Sequence, residues 1–145
     1  MLIHRKKIQI EWGDCDPGGI VYFPRYFEYC DICTNALFVH AGLPKPKMLK
    51  TYKIAGIPIV EARGNFMLPS EYPDVLEVAS SISEWGRSSF TVRHRLYKGK
   101  NLAAEIIEKR VWVSRRPGQK FRFQSKPIPQ AVKARFSGKV KTRRR

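Results

Sequence analysis

Residues 11–24 read Glu11-Trp12-Gly13-Asp14-Cys15-Asp16-Pro17-Gly18-Gly19-Ile20-Val21-Tyr22-Phe23-Pro24. Gly, Pro and Asp crowd positions 13–19, a composition that breaks regular structure and asks the backbone for angles glycine adopts most easily. The apolar run Ile20-Val21-Tyr22-Phe23 then meets Pro24, whose missing N–H and fixed φ suit the first turn of a helix. From Pro24 to about His40, Phe27, Cys30 or Asp31, Thr34, Leu37 or Phe38 and Ala41 recur at three- and four-residue intervals, the spacing of one helix face. Gly42 and Pro44 supply the stop.

Upstream of the loop, residues 3–11 mix β-branched and polar residues in partial alternation and read as a strand. Downstream, residues 42–53 read as a basic, Pro-containing connection. The rest is β-rich: strands are expected over 57–67, 75–84, 89–97 and 102–114, with a final strand opened by Phe121 and Phe123 and ended by Pro127-Ile128-Pro129. Residues 98–101 and 115–118 read as tight turns. The segment 102–114 is apolar on both faces and is expected at the centre of the sheet. The fold class is α+β, one long helix against the concave face of a twisted antiparallel sheet. That helix is apolar around most of its circumference, so the side away from the sheet calls for cover. A homo-oligomer, dimer or tetramer, is expected to supply it. One domain over residues 1–130 and a basic tail over 131–145 complete the division.

Twenty-eight Lys and Arg oppose twelve Asp and Glu in 145 residues, a net charge of +16. Lys133, Arg135, Lys139, Lys141, Arg143, Arg144 and Arg145 concentrate part of the excess at the end of the chain. Such a field attracts polyanions of any kind. A polyanion-binding module is therefore the rival from another class, although only Arg93, Arg95 and Tyr97 on one strand face resemble a nucleic-acid surface. No apolar run approaches the roughly 18–20 residues of a membrane span, and the start lacks a signal-peptide pattern. Three cysteines, an odd number, suit a reducing compartment, and the cytoplasm is expected. Cys30 and Cys33 lie in the helical pattern with no second Cys or His pair, so buried helix cysteines are expected rather than a metal site. His94, between Val92 and Leu96 on an apolar strand face, is expected to be a satisfied core residue.

The chemistry-bearing feature is the carboxylate pair Asp14 and Asp16 just before a helix N-terminus. Free backbone N–H groups there can hold an oxyanion, and a neighbouring carboxylate can attack a carbonyl or activate water. The same two residues could instead simply cap the turn.

Residues 11–24 closely resemble the signature of the 4-hydroxybenzoyl-CoA thioesterase family. The resemblance continues through Tyr26-Phe27, Asp31, Gly42-Leu43-Pro44, Ile57-Pro58-Ile59-Val60 and Glu84-Trp85-Gly86-Arg87-Ser88-Ser89-Phe90. It implies the hot-dog fold, a sheet wrapped around a long central helix, and hydrolysis of an acyl-CoA, above all an aryl-CoA such as 4-hydroxybenzoyl-CoA. It implies no cofactor, CoA entering as part of the substrate. Asp16 matches the catalytic carboxylate, the backbone N–H of Phe23 the oxyanion donor, and Asp31 a helix carboxylate that reaches the acyl pocket. A buried Asp31 needs a donor, from a neighbour or from a substrate phenol. Trp85, Arg87 and Ser88 match the turn that meets the nucleotide end of CoA, where this chain is less basic than the family pattern. Glu61 and Arg115 are further candidates. Short-chain acyl-CoA or acyl-carrier thioesterases of the same fold carry His after the Val-Tyr pair, where this chain has Phe23-Pro24, which favours the aryl-CoA branch.

Overall fold

The structure is a computed structural model and describes residues 1–138. In chain order it contains strand β1 (His4–Gln9), a 3-10 turn (Trp12–Asp14), helix α1 (Pro24–His40), helix α2 (Lys45–Tyr52), and strands β2 (Ile59–Phe66), β3 (Val75–Trp85), β4 (Ser89–Lys98), β5 (Asn101–Val111), β6 (Val113–Arg116) and β7 (Gln119–Ser125). Helix α3 (Gln130–Ala134) follows. Five strands form one antiparallel sheet in the order β1-β3-β4-β5-β2, and β6 pairs with β7 in a separate hairpin.

Strand alternation decides which side chains meet α1. On β4, Phe90, Val92, His94 and Leu96 are buried, while Thr91, Arg93, Arg95 and Tyr97 take the other face. The register pairs Val92 with Ile82 and Glu108, and Leu96 with Val78 and Ala104. Helix α1 lies on this inner face and divides its contacts between two apolar clusters. Tyr26, Tyr29, Cys30 and Cys33 from its first half pack with Ile8, Ile10, Leu76, Val78, Leu96 and Ile106. Leu37 and Phe38 from its second half pack with Met48, Ile82, Phe90, Val92, Trp112 and Phe136. The opposite side of the helix carries Ile32 and Val39 in the open, so the sheet covers one face only. Burial pushes the Cys33 thiol up to about 12 and raises that of Cys30 as well, as expected of inert core thiols.

Three expectations change. Residues 42–53 contain a helix: Pro44 caps α2, Pro46 lies in its first turn where no N–H is needed, and Met48 is its one buried residue. The run 102–114 is two strands, because Trp112 leaves the ladder and sends β6 into the hairpin; β5 lies between β4 and the edge strand β2, with β4 at the middle. The boundary at 130/131 falls inside packed structure. Val132 and Phe136 are buried, and the Phe136 ring packs at a steep angle against Phe38 and Trp85, with ring centres 4.8 and 5.5 Å apart. The basic residues from Lys139 onward lie outside the described residues.

Candidate active site

The Gly-rich loop is closed at its neck. Cys15 and Val21 form an antiparallel bridge, the Asp16 N–H donates to the Ile20 carbonyl at 2.9 Å, and the Tyr22 N–H donates to the Asp14 carbonyl at 2.8 Å. The two carboxylates diverge within this frame. Asp14 accepts from the Glu11 N–H at 3.0 Å and the Tyr29 hydroxyl at 2.8 Å, with Arg25 3.8 Å away. It is the structural member of the pair. Asp16 is half-buried, and its Oδ1 accepts the Gly18 N–H at 2.8 Å; among the described residues no donor reaches its Oδ2. A Cβ on Gly18 would sit 3.1 Å from that Oδ1, so a bare backbone lets the loop close on the carboxylate.

At the start of α1 the donors are mostly spent. Pro24 has no N–H, Arg25 donates to the Tyr22 carbonyl and Tyr26 to the Phe23 carbonyl. Among the described residues no oxygen accepts the Phe23 N–H. It stands as the free donor at the positive end of the helix dipole.

Asp16 lines a 400 Å³ cavity with Trp12, Cys15, Pro17, Gly19 and Tyr72. Asp31 lines a different one, of 370 Å³, with Ile57, Pro58, Arg110 and Phe123 among its walls. The two cavities share no residue, and Phe23 lines neither. Asp31 is half-exposed, and its donor is Arg110, whose Nη2 lies 2.8 Å from Oδ1.

The remaining candidates separate. Arg87 is exposed at the turn between β3 and β4, where the Gly86 N–H donates to the Ser89 carbonyl at 2.7 Å and the Ser88 carbonyl accepts from Trp112. Trp85 packs inward on Phe90 and Phe136. Lys133 joins this turn, its Nζ donating to the Gly86 carbonyl at 3.1 Å and lying 6.0 Å from the Trp85 ring centre. Read from sequence it belongs to a tail; the turn is thereby more basic than Arg87 alone makes it. Arg115, in the hairpin, donates to the Lys120 carbonyl and lies over Phe123, a wall of the Asp31 cavity. Glu61 is not brought to either cavity: it lies with Arg63, Glu84 and Lys109 in a hollow of 180 Å³.

Sequence reading missed one group. Glu108 and Arg110, two apart on β5, are 1% and 3% exposed and point inward. Arg110 Nε donates to Glu108 Oε1 at 3.1 Å, and Glu108 also accepts from the Thr34 hydroxyl and pairs with His94 Nε2 at 3.2 Å. His94 Nδ1 meets the Ser80 hydroxyl at 2.7 Å, so His94 is a satisfied core residue. Burial raises the Glu108 carboxyl, but His94 and Arg110 outweigh it and bring it down to about 2. A Glu and an Arg at i and i+2, in register with inward apolar residues, were the available signal. Among the described residues no cluster of His, Cys, Asp and Glu suits a metal ion. Among the described residues no helix is long and apolar enough to cross a membrane.

Comparison with known proteins places these features in context. A family model described as the thioesterase-like superfamily matches residues 10–136. The 4-hydroxybenzoyl-CoA thioesterase of Pseudomonas sp. (strain CBS-3) is 41% identical over 87 residues, covering 59% of this chain and 62% of that protein. The matched stretch is thus under two thirds of that relative's length. The solved structure of 4-hydroxybenzoyl CoA thioesterase from the same strain superposes with a TM-score of 0.82 at 30% identity, over 92% of this chain and 98% of that one. A gentisyl-coenzyme A thioesterase structure gives a TM-score of 0.77 at 31% identity, over 92% and 98% of the two chains. The chain has the hot-dog fold and belongs to the thioesterase-like superfamily.

Proposed function

We propose that this chain hydrolyses an acyl-CoA thioester, with an aryl-CoA such as 4-hydroxybenzoyl-CoA as the substrate class. The observation that carries the reading is the asymmetry of the loop that leads into α1: Asp14 is tied down by Tyr29 and Glu11, while Asp16 faces a cavity, and among the described residues one Asp16 oxygen has no donor and the Phe23 N–H no acceptor. Asp16 attacks the thioester carbonyl or directs water at it. The Phe23 N–H takes the developing oxyanion, where a preorganised donor is worth most. The C–S bond breaks, CoA leaves as thiolate and takes a proton, and water supplies the hydroxyl of the free acid. The names of the 4-hydroxybenzoyl and gentisyl-CoA thioesterases support the aryl class.

The protein acts as a homo-oligomer, a dimer or tetramer. Support comes from the open edge strand β2, with Ile59, Val60 and Phe66 exposed, and from the uncovered Ile32 and Val39 of α1. In the single chain the Asp31 and Asp16 cavities share no residue, which leaves room for a site completed by a second copy. Three free cysteines fit the reducing cytoplasm. Steady-state hydrolysis of a panel of 4-hydroxybenzoyl-, benzoyl-, phenylacetyl-, short-chain and long-chain acyl-CoA tests the class. Preference for the aryl thioesters is expected. Preference for aliphatic chains overturns the aryl assignment and keeps the hydrolase.

A further inference from the structure

The charge of this chain is divided unequally along its length. Residues 1–108 hold fourteen Lys and Arg against all twelve Asp and Glu, whereas residues 109–145 hold the other fourteen with no acid. Part of that excess is gathered on the β6–β7 hairpin, where every residue from Arg115 to Phe123 is exposed. Phe121, 85% exposed, lies between Lys120 and Arg122 in the chain, and the Lys120 ammonium is 5.7 Å from its ring centre. Arg115 lies over the Phe123 ring in the same way, at 5.9 Å. Two strands alone bury too little to draw stability from such rings. Exposed rings, each with a cation alongside, suit a ligand better than a core.

We propose that the β6–β7 hairpin binds single-stranded nucleic acid, with Phe121 and Phe123 as stacking surfaces for bases and Arg115, Arg116, Lys120 and Arg122 as phosphate contacts. Each nucleotide offers the matching pair, a flat base to stack and a phosphate to neutralise, and stacking tolerates any sequence. The hairpin adjoins a second acid-free segment, residues 42–60. Val113 at its base bridges Gly56, and its carbonyl accepts the Ala55 N–H at 2.8 Å. Helix α2 in that segment exposes Lys45, Lys47 and Lys50, and Lys45 shares with Phe123 the wall of the 370 Å³ cavity. Asp31, the one acid on that wall, is already paired with Arg110. A strand leaving the hairpin therefore meets further cations. The strand face with Arg93, Arg95 and Tyr97 is a poorer candidate, because Glu105 pairs with both arginines. Insertion into a bilayer would drag the ring-bound cations towards hydrocarbon, whereas a stacked base leaves them at its phosphates. The hairpin lines no part of the Asp16 cavity, so the proposal stands independently of the hydrolase reading.

The test is fluorescence anisotropy of a labelled oligothymidylate of about 20 nucleotides, longer than one binding site. It is titrated over a range of salt with the full chain, with Phe121→Ala, and with a triple variant carrying Arg116→Gln, Lys120→Gln and Arg122→Gln. Phe121→Ala is expected to bind about tenfold more weakly at an unchanged salt slope, since it removes a stacked base and no phosphate contact. The triple variant is expected to flatten the slope of log affinity against log salt by about 2, three single-strand phosphate contacts at about 0.7 each. All four positions are exposed, and thermal unfolding confirms that each variant folds. No binding at low salt, an affinity unchanged in Phe121→Ala, or a slope unchanged in the triple variant each overturn the proposal. One-for-one displacement of the oligonucleotide by free CoA overturns it too, by making the hairpin the nucleotide end of a thioester site. Tighter, Phe121-dependent binding to vesicles containing phosphatidylglycerol would assign the hairpin to a lipid surface instead.

Discussion

The Tyr29 hydroxyl donates to Asp14 Oδ2 at 2.8 Å across the layer between helix α1 and the Gly-rich loop. Burial and the adjacent carboxylate both raise the Tyr29 phenol, so it remains a donor at any physiological pH. The bond ties the loop to the helix that it precedes and separates the roles of two aspartates lying two residues apart.

Removing the bond should loosen the loop while leaving the core intact. Tyr29→Phe is expected to cost about 1 kcal/mol of stability and to lower kcat for thioester hydrolysis roughly tenfold through misplacement of Asp16. Thermal unfolding and steady-state kinetics measure the two. Wild-type kcat in this variant would mean that the loop holds its shape without Tyr29.

Glu108 links stability to pH. Its carboxyl is held down to about 2 against an ordinary value of 4.5, so the stability it contributes is fully present above 4.5 and is lost as pH falls towards 2. Glu108→Gln is expected to destabilise the protein by about 3 kcal/mol at neutral pH. Urea unfolding across pH should show the gap to wild type narrowing below about pH 4. A gap of constant size down to about pH 2.5 would place the contribution of Glu108 elsewhere.

Phe136 closes the apolar cluster at the end of α1 against Phe38 and Trp85. Phe136→Ala is expected to cost about 3 kcal/mol, while Phe121→Ala, at a side chain 85% exposed on the hairpin, stays within about 0.5 kcal/mol. Denaturant midpoints compare them. Equal midpoints would return residues 131–138 to the status of a tail.

Arg87 lies in the turn between β3 and β4, and Lys133 of α3 reaches that turn through the Gly86 carbonyl. Under the proposed function, Arg87→Ala raises KM for a CoA thioester about threefold at low ionic strength, and the difference shrinks as salt screens the exposed charge. A KM unchanged at low salt removes this turn from the CoA site.

The long helix was legible to the residue because Pro24 and Gly42 punctuate it and apolar spacing fills the interval. The strands of the main sheet were legible from period-two alternation, β4 most cleanly. Helix α2 was not, since two prolines, three lysines and a single buried methionine give no periodic signal. The break at Trp112 was hidden because a strand that changes sheets keeps an apolar, β-branched composition on both sides of the step. Within the site, the loop composition pointed to Asp14 and Asp16 together; which of them is tied depends on Tyr29, fifteen residues from Asp14. The Glu108–Arg110 pair went unread because its partners, Asp31, Thr34, His94 and Ile57, come from other segments of the chain.

The central claim is that the Asp16 carboxylate performs the chemistry, and one comparison tests it most directly: hydrolysis of 4-hydroxybenzoyl-CoA by wild type and by Asp16→Asn, with binding of the uncleaved thioester measured in parallel. The expected result is a kcat reduced by at least about 10³-fold, the scale of losing an essential nucleophile or base, with thioester affinity and thermal stability retained. Turnover by Asp16→Asn at a rate near wild type would contradict the account.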